Sequence, residues 1–281
     1  ASNPYVSIIG PIESAASRIS IMGVCNKFAG IIAGLIFGFI ALKDVDGIES
    51  RLAAMDAAGR AAELDALASR VVTPYMIITG VLVILAVAIL FSPLPDIHDE
   101  GESGDESAAA GKSSIFQFPH LFMGVLAIFC YVGVEVMAGD TIISYGKSLG
   151  IELSTARYFS SATLTFMIIG YIVGIFAIPK YFSQETALRW SAIIGIVFTL
   201  SAVVLPGYFS VASIALLGIA NSLMWPAIFP LGIEGLGKFT KTGSALLIMG
   251  IAGGAILPLV YGKFTEVVGS QQAYWMMLPC Y

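Results

Sequence analysis

The chain has 281 residues, 57% of them hydrophobic and 12% charged, with a mean hydropathy of +0.89 and a formal net charge of −5. An ordinary soluble domain does not have that composition, and the acidic balance offers no basic surface for nucleic acid. The chain therefore reads as an all-helical polytopic membrane protein whose partner is the lipid bilayer.

A hydrocarbon layer of roughly 30 Å needs about 20 apolar residues to cross it, and backbone groups in lipid must be bonded within the segment, so such runs predict helices. They recur at 17–42, 71–91, 121–145, 158–178, 190–205, 208–233 and 244–261. The chain opens inside an apolar stretch, ASNPYVSIIG, and stops at YWMMLPCY as another begins. Half-spans at both ends are what a piece of a longer protein would present.

After the first span, residues 43–70 carry an Ala-rich pattern with Ile48, Leu52 and Met55 at helical spacing and charges between them, expected to lie along the membrane surface. Residues 92–114 run from PLPD into DEGESGDESAAAGKSS, an acidic, Ser- and Gly-rich string with too little apolar area to fold. The expected organisation is the end of an N-terminal bundle at 1–92, an acidic cytoplasmic linker at 93–116 and a C-terminal bundle at 117–281. Later connections such as GIELS, PKYFSQET and GKFTKTG are short, which forces consecutive spans to lie antiparallel. Placing the linker inside puts Arg18, Lys112, Lys180, Arg189, Lys238 and Lys241 on the cytoplasmic side, with Lys147, Arg157 and Lys263 opposite.

The stretch 121–145 is expected as one uninterrupted helix, and it carries two acids, Glu135 and Asp140, in YVGVEVMAGDTIISY. A carboxylate at the centre of a span costs roughly 2.5 to 3.5 kcal/mol on insertion scales, so it calls for a partner, a water cavity or a proton to carry. This implies a protein that moves something polar. The cysteines, Cys25, Cys130 and Cys280, lie unevenly in apolar segments and read as packing thiols. His98 and His120 have no companions at ligand spacing, so no metal site is expected.

An internal echo points the same way. Pro4 precedes Gly10 by six residues, Glu13 follows, and then comes a helix with Gly30, Gly34 and Gly38; Pro226, Gly232, Glu234 and the helix with Gly250, Gly253 and Gly254 repeat the order. Parallel repeats on either side of a linker are how many transporters build two half-bundles around a central site.

On ASNPYVSIIGP, on NKFAG in the first span, on TPYMII, on FCYVGVE, and above all on WPAIFPLGIEGLGKFTKTGSALLIMGIAGGAILPLVYG, the chain resembles the fucose, glucose and galactose symporter family of the major facilitator superfamily. The resemblance covers the whole chain in order. It implies a major facilitator fold truncated at both ends, running from the end of the fourth helix to the start of the twelfth, in a bacterial inner (plasma) membrane. The family's acids on the first and fourth helices would then lie upstream of Ala1. Its fifth-helix pair of a Gln with an Asn three residues later is matched by Asn26, with Gly23 at the Gln position, and Glu135 is more similar to the glucose and galactose branch. The implied activity is uptake of a hexose, glucose or galactose and possibly fucose, by alternating access coupled to H⁺ or Na⁺. No cofactor and a monomeric state are expected.

The residues make a parallel case. A sugar's hydroxyls call for amides and carboxylates, and its C–H surface calls for an aromatic face. Asn26, Glu135, Asn221 and Trp225 offer that chemistry, with Tyr131 one turn from Glu135 and Asn221 one turn from Trp225. Asp140 and Asn3 are further candidates for substrate contact or coupling. Structural readings stand beside these. Asn26 or Asn221 could bond a neighbouring helix, Trp225 could belong to an interfacial belt, Asp140 could pair with Lys147, and Lys27 could neutralise an acid. Gly250, Gly253 and Gly254 could serve close helix packing.

Three other functions stand against this reading. A seven-span receptor is opposed by the cut ends and the acidic linker. An intramembrane protease would need a second intramembrane Asp beside Asp140. A drug or metabolite exporter of the same superfamily is the main alternative.

Overall fold

The computed structural model describes residues 5–7, 10–41, 48–92 and 113–281. Asn3, Pro4 and most of the acidic linker lie outside the described residues. By its contacts the chain divides into two units, Ala1–Ala29 with Asp99–Tyr281, and Gly30–His98. The boundary therefore falls inside the first long helix, α1 (Ala15–Ala41), rather than only at the linker. The reason is local: Ser17 Oγ donates to the carbonyl of Ile175 at 3.1 Å, Gln184 Nε2 donates to that of Ile12 at 3.0 Å, and Ala16 packs with Ile178, Ala187 and Leu223.

In the smaller unit, a short helix α2 (Ile48–Ala54) precedes α3 (Ala57–Leu90). Asp56 caps α3 by accepting from the amide of Gly59 at 2.9 Å, and Arg60 Nη2 ties α3 back to α2 through the carbonyl of Leu52 at 3.0 Å. The surface helix expected over 43–70 is thus not a separate element beyond Ala54. The good helix formers of 57–70 run straight on into the span, giving 34 residues and about 51 Å of helix, far longer than the bilayer core.

The larger unit holds α4 (Pro119–Val136), a π-helical segment (Met137–Thr141), α5 (Ile142–Ser148), α6 (Leu153–Ala177), α7 (Gln184–Val204), α8 (Gly207–Ser222), α9 (Met224–Ile233), α10 (Thr240–Met249) and α11 (Gly253–Val268). A four-residue helix α12 (Ser270–Ala273) and a 3-10 segment (Tyr274–Cys280) close the chain. Among the described residues six helical stretches are long and apolar enough to cross a membrane, and the further span expected at 17–42 corresponds to α1. Large apolar side chains such as Val197, Leu200, Phe209 and Leu259 are exposed, as expected of membrane-length helices that are hydrophobic all round.

Two breaks position the site. The span expected as uninterrupted carries the π turn at Met137–Thr141, where Thr163 Oγ1 donates to the carbonyl of Ala138 at 3.3 Å and Thr141 Oγ1 meets the Tyr274 hydroxyl at 2.7 Å. A π turn holds one residue more than an α turn, so everything after it is rotated by roughly 100°. The second break is at Leu223, between α8 and α9. Pro226 has no N–H to offer the carbonyl of Ser222, so the ladder cannot run through.

α8 packs most extensively on α6 and α7, while α4 lies against α9 and α11. At the α4–α11 crossing a Cβ on Gly253 would overlap the carbonyl oxygen of Phe129, so only glycine lets the two backbones approach. One buried cluster, with Tyr145, Ile214, Leu217 and Tyr274, fills one end of the unit; another, with Leu121, Ile128, Phe229 and Leu247, fills the other.

Candidate functional site

A cavity of about 370 Å³ opens within the larger unit, in the size range of small-molecule sites. Its wall comes from α1 (Ile19, Met22, Gly23, Asn26, Lys27), α4 (Tyr131, Val132, Glu135), Tyr171 of α6, Trp225 of α9 and Ile251.

The polar side chains are connected. Lys27 Nζ forms an ion pair with Glu135 Oε1, and the Tyr131 hydroxyl donates to Glu135 Oε2. Lys27 and Glu135 are each 17% exposed, and both line the cavity. Each charge makes the other tolerable at membrane depth, where either alone would be costly. Tyr131 itself is buried, one turn below Glu135 on the same face of α4.

Aromatic rings complete the wall. The Trp225 ring lies 6.5 Å from that of Tyr131 at 46°, and it stacks on Phe229 at 5.7 Å and 22°. Phe229 fixes the indole so that it presents a rigid apolar face. Tyr171 lies so close to α1 that a Cβ on Gly23 would come 2.6 Å from its ring. The ring occupies the space that a longer side chain at position 23 would take.

Four of the residues expected at a site, Asn26, Tyr131, Glu135 and Trp225, are brought together here. Asn221 is not part of the wall. It is fully buried, its Oδ1 accepts from the Tyr281 hydroxyl at 2.8 Å, and its Nδ2 has no hydrogen-bond partner among the described residues. Asn221 ends α8 and Trp225 opens α9, so the two lie on either side of the break at Leu223 rather than on one unbroken helix. Asp140, exposed on the π segment, also lies outside the wall. Asn3 lies outside the described residues.

Lys27 and Tyr171 were not singled out as site residues from sequence. A lysine inside a spanning helix is as expensive as the glutamate, and the sequence reading that Lys27 could neutralise an acid is what its pair with Glu135 fulfils. Tyr171 carried none, since a tyrosine on an apolar helix is ordinary. Arg18, on the preceding turns of α1, instead holds the incoming segment through the carbonyls of Val6, Ser7 and Pro11, each at 3.0 Å. The cysteines are free, and among the described residues no group of three or more potential metal ligands gathers.

No protein-family model matches the chain. Individual proteins do. A glucose/galactose transporter of Brucella abortus is 30% identical over 286 residues, covering 100% of this chain and 65% of the transporter. The L-fucose-proton symporter of Escherichia coli K12 is 29% identical over 277 residues, covering 96% of this chain and 63% of the symporter. The chain thus spans 65% of the length of the first of these relatives. The crystal structure of the major facilitator superfamily transporter FucP in an outward conformation matches with a TM-score of 0.78 at 28% identity, over 100% of this chain and 69% of FucP. This chain is a homologue of the bacterial glucose/galactose transporters and L-fucose-proton symporters, and it carries the major facilitator fold.

Proposed function

We propose that the protein takes up a hexose, glucose or galactose before fucose, by cation-coupled symport with alternating access. The observation that carries this is the composition of the cavity wall. An amide (Asn26), a carboxylate (Glu135), two phenols (Tyr131, Tyr171) and an indole (Trp225) surround a space of about 370 Å³. Hydroxyl groups of a sugar can bond to the first three kinds, and its C–H face can lie on the indole. The relatives, named as glucose/galactose transporters and fucose-proton symporters, support the same substrate class.

An exporter of apolar compounds fits this wall less well, because such a ligand would cover Asn26 and the outer face of the Lys27–Glu135 pair without offering either a hydrogen bond. The coupling ion is proposed as H⁺ by the likeness to proton symporters, with Na⁺ as the alternative. The test is counterflow of labelled glucose, galactose and fucose in proteoliposomes containing the purified protein, with proton and sodium gradients imposed separately. Hexose exchange accelerated by one gradient supports the proposal. Efflux of lipophilic dyes with no hexose exchange overturns it.

A further inference from the structure

Of the eleven residues in the cavity wall two are charged, Lys27 and Glu135, and each is spent on the other. The remainder offer an amide, phenols, an indole and apolar groups, none of which carries a charge near neutral pH. Asp140 and Arg18 lie outside the wall, although Asp140, the next acid along the same span, is near enough to interact electrostatically with Glu135 and Lys27. The wall is therefore electroneutral although it contains two full charges.

We infer that the Lys27–Glu135 pair is a specificity device that restricts the cavity to uncharged sugars; the inference rests on the hexose reading above. A neutral sugar needs only hydrogen bonds, which the amide, the phenols and the outer face of the ion pair can give. A sugar acid or an amino sugar brings a net charge into a low-dielectric space whose own charges are already matched. It must either lose its hydration uncompensated or break the pair and strand the member of like sign. Discrimination here comes from the cost of stranding a charge when the wrong ligand binds, which is negative selection by electrostatics. Lys27 is in this sense a residue of selectivity rather than of affinity. It also holds the Glu135 carboxylate against the Tyr131 hydroxyl, so that a sugar meets a fixed acceptor.

The experiment measures equilibrium binding of radiolabelled glucose, glucuronate and glucosamine at pH 6, where the last is a cation, to the purified protein in proteoliposomes. Wild type should bind glucose and discriminate against both charged sugars. Glu135→Gln leaves Lys27 unpaired, and the ratio of glucuronate to glucose affinity should rise about tenfold or more, equivalent to about 1.4 kcal/mol. Lys27→Gln leaves Glu135 unpaired, and the ratio of glucosamine to glucose affinity should rise similarly. The exchanged pair Lys27→Glu/Glu135→Lys is again electroneutral and keeps both charges, and it should return to the neutral preference. A pair that only ties α1 to α4 would lower stability and all three affinities together, with the ratios fixed.

Unchanged ratios in whichever single variant folds, or equal wild-type affinity for charged and neutral sugars, overturn the inference while leaving hexose transport intact. Absence of any hexose binding by wild type overturns the hexose reading itself.

Discussion

Tyr281 reaches Asn221 across sixty positions of sequence: its hydroxyl donates to Asn221 Oδ1 at 2.8 Å, while Asn221 Nδ2 is buried without a partner among the described residues. The bond joins the end of the chain to the last turn of α8. It commits one half of the amide to structure and leaves the other half unsatisfied.

Asn221 should therefore act on stability more than on sugar. Tyr281→Phe removes one partner and strands the other, which should cost about 1 to 3 kcal/mol of stability in detergent. Asn221→Leu/Tyr281→Phe replaces both by apolar groups and should recover most of that loss. Hexose affinity should move by less than about threefold in either, a change under 1 kcal/mol. A tenfold or greater loss of affinity on Asn221→Leu would return this residue to the sugar site.

Asn26 stands in the wall itself. Asn26→Ala should weaken hexose binding by about 1 to 3 kcal/mol, the scale for a buried hydroxyl left unpaired. Isothermal titration of the folded variant measures this, and wild-type affinity would assign Asn26 to helix packing.

Glu135 can be dissected by two replacements. Glu135→Gln keeps the shape and one acceptor, and it should retain hexose binding and accumulation in part if the residue only holds sugar. Glu135→Ala leaves Lys27 without a counter-charge and should lose both, with a stability cost of about 1 to 3 kcal/mol, since the pair is partly exposed to the cavity. Exchange without uphill accumulation in Glu135→Gln would instead make Glu135 the proton carrier. Normal accumulation by Glu135→Ala would contradict both roles.

Gly23 is kept small by Tyr171. Gly23→Ala should push the ring into the cavity and cost about 1 to 3 kcal/mol, as overpacking does. Gly23→Ala/Tyr171→Leu should restore stability. Thermal unfolding of the two variants tests this, and an unchanged midpoint in Gly23→Ala would show that the ring yields freely.

The linker gives a topological prediction. A reporter fused within 99–111 should behave as cytoplasmic, because Lys112, Arg189 and Lys241 then share that side. Alkaline phosphatase activity from the fusion would reverse the orientation.

Hydropathy and length, summed over tens of residues, determined the membrane class, the helices and nearly all of the spans, because a bilayer imposes one dominant constraint on every crossing segment. The same logic made Glu135 conspicuous, and Tyr131 and Glu135 were legible as neighbours because α4 is regular between them. Where regularity failed, sequence spacing misled. The helix expected to carry both Asn221 and Trp225 is interrupted at Leu223, the span expected as uninterrupted carries a π turn at Met137–Thr141, and residues 57–70 continue into the span as one helix. The pairing of Lys27 with Glu135, separated by 108 positions, and the seating of Tyr171 against Gly23 were decided only in three dimensions. Each depends on which helix faces which, a property of packing between segments that no periodicity within one segment encodes.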